Sequence, residues 1–87
     1  MPAYVTLVKF TPEEPRSIDD IGKAFEVGRK MAEEMGIKPI GAYVTLGPYD
    51  MMLIYEAPDE KVAADMSMSL RGQTETWTLI PMKEFAR

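Results

Sequence analysis

An α+β fold, one antiparallel sheet of four strands with two helices on a single face, is what this 87-residue chain predicts. Four short segments rich in Val, Ile, Thr, Tyr and Trp alternate with the period of strands. Two longer segments repeat apolar residues at helical spacing, and Gly or Pro breakers separate the elements into the order β-α-β-β-α-β.

The first strand is expected over 3–10, rich in Val, Thr, Tyr and Phe. Pro12 and Pro15 then turn the chain, and Ser17 is a good helix N-cap, with Asp19 and Asp20 in a first turn that the helix dipole favours. Ile18, Ile21, Phe25, Gly28, Ala32 and Met35 recur on one helical face, with Lys23, Glu26, Arg29, Lys30 and Glu33 filling the other. Gly36 stands where a C-cap belongs. Strands over 39–46 and 50–57 flank the corner Gly47-Pro48-Tyr49-Asp50, in which Gly47 allows positive φ, Pro48 pre-sets the turn and Asp50 can accept a backbone N–H. Pro58, with Asp59 and Glu60 beside it, suits the first turn of a second helix that turns Val62, Ala63, Met66 and Leu70 inward and stops near Gly72. The last strand runs over 74–82, where Pro81 ends it or confines it to a sheet edge.

With right-handed crossovers this order gives a ferredoxin-like domain spanning 1–87, with both helices on one face of the sheet. The other face is then left open. In the first strand Val5 and Leu7 alternate with Tyr4, Thr6, Val8 and Phe10; in the third, Met51 and Leu53 alternate with Met52, Ile54 and Glu56. Both sets are largely apolar, whereas a water-facing sheet is polar on one side. A second copy is therefore expected to cover the open face, with Val8 and Ile54 contributing, and two sheets packed this way make a dimeric α/β barrel. In the second strand Ile40, Ala42, Val44 and Leu46 read as buried, with Gly41, Tyr43 and Thr45 as their alternates. The second face thus combines an apolar centre with a rim of Thr and Tyr hydroxyls, which fits either a plain interface or a small-molecule cavity.

Composition removes several chemistries. The chain has neither cysteine nor histidine, so no transition-metal site, haem anchor, cysteine nucleophile or Ser-His-Asp set is available, and no cofactor is expected. No catalytic residue is assigned. Ten basic residues interleave with fourteen acidic ones, leaving a net charge of −4 and no basic stripe for nucleic acid. The longest unbroken apolar run, Met51 to Tyr55, is too short to span a bilayer. The strand pattern begins at once, without a basic or apolar leader, so a cytoplasmic protein is expected. No asparagine and a single glutamine, Gln73, fit a thermophilic source.

The runs Pro2–Val8, Ile40–Leu46 and Met51–Tyr55, set around Gly47-Pro-Tyr-Asp50, resemble the GYD-domain family, named for this Gly-x-Tyr-Asp corner. The resemblance covers nearly the whole chain, including Glu56-Ala-Pro-Asp59 into the second helix. It implies the dimeric α/β barrel and brings no reaction with it. The hairpin Val44 to Ile54 also resembles the Gly-x-x-Asp hairpin in the effector-binding domain of Lrp/AsnC-type transcription regulators, which implies amino-acid binding at subunit interfaces near the corner. Only Gly47 and Asp50 match that pattern directly, and with a strand starting at residue 3 no helix-turn-helix is expected.

Six residues are candidates for ligand contact: Tyr4, Tyr43, Gly47, Tyr49, Asp50 and Glu56. Gly47 serves the turn. Asp50 either caps the hairpin or pairs with Lys9, or else binds an amine or accepts a proton. Tyr49 either gates a cavity or packs on the barrel end. Glu56, brought near Tyr4 by the antiparallel order, is either an acid or base with a raised pKa or a solvated strand end. Trp77 reads as a core aromatic, and Met51, Met52, Met66 and Met68 as core filler or an adaptable binding wall, Met68 lying opposite the buried stripe. The resulting expectation is a homo-oligomer, dimer or higher, that binds or senses a small molecule. The alternatives are a cofactor-free enzyme using a carboxylate/Tyr pair and a purely structural interaction module.

Overall fold

The computed structural model describes residues 1–11 and 18–86. The expected turn at Pro12 and Pro15 and the Ser17 cap lie outside the described residues. Seven elements follow: β1 (Ala3–Lys9), α1 (Ile18–Glu34), β2 (Lys38–Val44), β3 (Met51–Glu56), α2 (Glu60–Ser69), β4 (Gln73–Leu79) and a 3-10 turn, η1 (Met82–Phe85). The strands pair antiparallel in the order β2-β3-β1-β4, so the ferredoxin-like order is present.

Strand ends shift by one to three residues from the sequence reading, and two of the differences at element ends have a clear local reason. Pro58 precedes the second helix instead of opening it, because the Asp59 side chain caps α2 by accepting the Val62 N–H at 2.9 Å. The last strand stops at Leu79, and Pro81, which has no N–H to extend the ladder, caps η1 instead. At the end of α1, Gly36 sits at φ +79°, the left-handed conformation that lets the following Ile37 N–H reach back to the Ala32 carbonyl at 2.9 Å.

One face of the sheet carries the core. Tyr4 stacks on its neighbour Tyr55 with ring centroids 5.9 Å apart, and both pack with Ile37, Ala57, Ala63 and Met66. Ala32 of α1 and Met35 just past its end join Val62 and Leu70 of the α2 region around the same cluster, which places both helices on this side. Beside it lies a cluster of hydroxyls. Thr6 Oγ1 is 2.8 Å from the Tyr55 hydroxyl, 2.9 Å from Thr76 Oγ1 and 3.4 Å from Ser67 Oγ, and Ser67 and Thr76 also bond to each other. Thr6 is fully buried, and each hydroxyl satisfies another, as a buried polar group requires.

Register decides the open face. Directly paired residues share a side, so Val5 lies with Ile54 and Trp77, and Leu7 with Met52 and Glu75. Val8 pairs with Met51 and is 1% exposed on the helix side. The expectation that Val8 and Ile54 share the association face is thus corrected: they sit an odd number of residues from a common pair and the pleat sends them apart. In β2 a bulge between Pro39 and Gly41 makes Ile40 the extra residue, and it is exposed. Val44 and Leu46, expected to be buried, are 64% and 99% exposed. They stand on or beyond the free end of an edge strand, while α1 and the turn after it reach the core through Ala32 and Met35 and leave Phe25, Val27 and Met31 outward.

Candidate functional site

On the open face, three cross-strand rows run from β2 through β3 and β1 to β4: Lys38–Glu56–Ala3–Leu79, Gly41–Ile54–Val5–Trp77, and Tyr43–Met52–Leu7–Glu75. The middle of this grid is apolar. Its charged pair, Lys38 and Glu56, stands at one end 3.9 Å apart. Trp77 is half exposed on this face, so the reading of it as a core aromatic is corrected: β4 is an edge strand, and among the described residues no helix covers this side. Tyr43, also half exposed, lies over Gly41, where a methyl group would stand 2.7 Å from the phenol oxygen. A side chain at 41 would oblige that ring to shift.

The hairpin brings a third aromatic across. Asp50 Oδ2 accepts the Phe10 N–H at 2.7 Å, its own N–H donates to the Val8 carbonyl at 2.8 Å, and Thr45 bonds the Asp50 and Tyr49 carbonyls at 3.0 and 2.7 Å. With Gly47 at φ +133°, these bonds fix the corner against the end of β1. Tyr49 is thereby aimed at β4, where its hydroxyl donates to Glu75 Oε2. The Trp77 indole N–H donates to Glu75 Oε1 at 3.0 Å. One carboxylate is thus held by two aromatic donors beside the apolar rows.

The electrostatics follow from those bonds. The hydrogen bonds from Tyr49 and then Trp77 hold the Glu75 carboxyl below its ordinary value of 4.5. The same bond, with burial and the nearby Glu75 charge, raises the Tyr49 phenol above 10.0. A lowered carboxyl contributes above its ordinary pKa and loses that contribution as pH falls through the lowered one; a raised phenol contributes below 10.0 and loses it as pH rises through the raised value. Trp77 is the only tryptophan, so its emission reports on Glu75. An acid step in that emission is expected below pH 4.5 and should vanish in Glu75→Gln; a step centred above that value would contradict the arrangement.

The six candidates from the sequence divide between places. Tyr43 and Tyr49 reach the open face, and Gly47 and Asp50 build the corner that delivers Tyr49. Glu56 and Tyr4 do not meet as an acid–base pair, because Glu56 lies opposite Ala3 on the open face while Tyr4 is buried on the helix side. Burial is the first cause that raises the Tyr4 phenol, ahead of Glu60, Asp59 and Tyr55. Asp50 receives the Phe10 backbone instead of Lys9. Removing its charge in Asp50→Asn should therefore cost no more than about 1 kcal/mol in urea unfolding, and Asp50→Ala about 1–2 kcal/mol. The methionines separate as well: Met66 is core, Met52 lies on the open face and Met68 is 83% exposed. Sequence reading missed Glu75. It precedes Trp77 by two on a strand, hence on the same face, which was the available signal.

Fold and face together define a ferredoxin-like α+β protein whose sheet has an unpaired apolar side. The chain matches the model of the GYD domain over residues 4–87 and belongs to the GYD-domain family. A Thermus thermophilus protein named "Glutamine synthetase and cystathionine beta-lyase binding protein" is 28% identical over 82 residues, which are 91% of this chain and 86% of that relative. Among solved structures, FFRP-DM1 superposes with a TM-score of 0.62 at 19% identity, covering 92% of this chain and 100% of that one. TTHA0845, also from Thermus thermophilus, gives 0.55 at 22%, covering 93% and 95%. At these identities the two structures share the fold. No helix among the described residues is long and apolar enough to cross a membrane.

Proposed function

We propose that this chain is an interaction module, a cytoplasmic protein of one domain over 1–87 that associates with a second copy through the open sheet face and docks, as that assembly, on larger proteins. The observation that carries the reading is the apolar centre of Val5, Leu7, Met52 and Ile54, flanked by the half-exposed rings of Tyr43 and Trp77. Aromatic and Met side chains around a charge-free centre are the composition of a protein interface. The name of the Thermus thermophilus relative, a binding protein for two enzymes, supports docking on proteins.

A small molecule held between the two faces is the second reading, favoured by the polar group that Glu75 sets at the edge of the apolar rows. The carboxylate/Tyr enzyme receives no support from Glu56 and Tyr4, which occupy opposite faces. Light scattering over a micromolar concentration series tests the main reading. The particle should weigh a multiple of the 9.8 kDa chain, and a stable monomer would overturn it.

A further inference from the structure

We infer that Tyr49, Glu75 and Trp77 form a binding site for an organic cation, an alkylammonium or quaternary ammonium group, on the open face of the sheet. The inference goes beyond the interaction module: it places the cation at the β4 edge of the face proposed to meet a second copy, and needs no group from that copy.

The geometry begins with the carboxylate. Each Glu75 oxygen accepts one hydrogen bond, Oε1 from the indole and Oε2 from the phenol. Both donors are neutral, so they orient the carboxylate without compensating its charge. A carboxylate has about four lone-pair positions, and two remain for an incoming N–H or a methylated nitrogen. The ion pairs Arg29–Glu26, Arg29–Glu33 and Lys38–Glu56 leave Glu75 out, so among the described residues no ion pair engages it. The nearest basic residue by register on this face is Lys9, which pairs with Gln73 one step along β4.

The surroundings select the kind of cation. Tyr49 and Trp77 set two aromatic rings beside one negative charge, and electron-rich rings attract ammonium groups. Leu7, cross-strand from Glu75, with Met52 beyond it gives an apolar floor for alkyl substituents. A hard metal ion needs several oxygen ligands, and no group of three acidic side chains converges among the described residues. An ammonium, which makes a point contact, fits what remains.

Trp77 supplies the readout, since the only indole of the chain belongs to the site. The full chain is titrated with tetramethylammonium chloride and with n-butylammonium chloride, against sodium chloride at matched ionic strength. A saturable change in Trp77 emission is expected with both amines and not with sodium. Glu75→Gln should weaken binding at least about tenfold, the loss of a charge-assisted contact. Lys9→Gln should leave it equal or tighter by removing the competing cation. Far-UV circular dichroism and light scattering on each variant keep folding and assembly separate from the ligand. Lost amine response in a folded Glu75→Gln chain of unchanged mass supports the site. A response shared with sodium, equal binding in Glu75→Gln, or an assembly that dissociates in that variant would overturn it, the last assigning Glu75 to the interface.

Discussion

Ile54→Lys is expected to split the proposed assembly while leaving the fold intact, and Val8→Asp to prevent folding altogether. The contrast rests on one fact of register. Ile54 lies cross-strand from Val5 on the open face, whereas Val8 lies opposite Met51, 1% exposed on the helix side. A lysine at position 54 puts a charge into the apolar centre that a second copy would cover. Association should weaken at least about tenfold, which is 1.4 kcal/mol. Melting of the separated chain should change little. A carboxylate at position 8 is stranded away from water, a penalty of several kcal/mol that exceeds much of the stability of a domain this small. Glu26→Lys, on the exposed side of α1, serves as control and should alter neither property. Light scattering and urea unfolding on the three variants decide it. Folded Val8→Asp chains that have lost only association would mean that the faces are reversed.

Thr6→Val should lower stability by about 2 kcal/mol, or roughly 10 °C in Tm. The substitution preserves shape and removes the hydroxyl that joins Tyr55, Ser67 and Thr76. Tyr55, 2% exposed, then keeps a hydroxyl with its Thr6 partner gone, and that unmet desolvation is the source of the loss. Tyr55→Phe on the Thr6→Val background removes the stranded group as well. The double variant should therefore be less destabilised than the sum of the singles. Additive losses would show that the Thr6–Tyr55 bond contributes nothing of its own.

The two predictions mark where the sequence stopped. Alternation showed that β1 and β3 are apolar on both sides, yet it could not say which set faces the helices, because Val5, Leu7 and Val8 are equivalent letters. The bulge at Ile40 was hidden for the same reason: one extra residue shifts β2 to the other phase, and Pro39-Ile40-Gly41 does not announce it. The Asp50 corner was legible, since its chemistry is local, a Gly-Pro turn followed by an acceptor for a backbone N–H. Glu75 was not. Its partner Tyr49 is 26 residues away in the chain, and in Thr-Glu-Thr-Trp it reads as an ordinary solvated strand position.

What the sequence determined by itself is the set of features written within one element or one turn. These are the β-α-β-β-α-β order, the breakers at Gly36, Gly47 and Gly72, the exposure of Met68, and the absence of any His or Cys chemistry. They follow from backbone conformation and side-chain period, which act over a few residues. Only the tertiary structure decided that Thr6, a polar letter in an apolar strand, is buried, and that Trp77 is not. It alone set Glu75 between Tyr49 and Trp77. Those outcomes depend on strand register and on which side the helices cover, and both are fixed by packing between segments far apart in the chain.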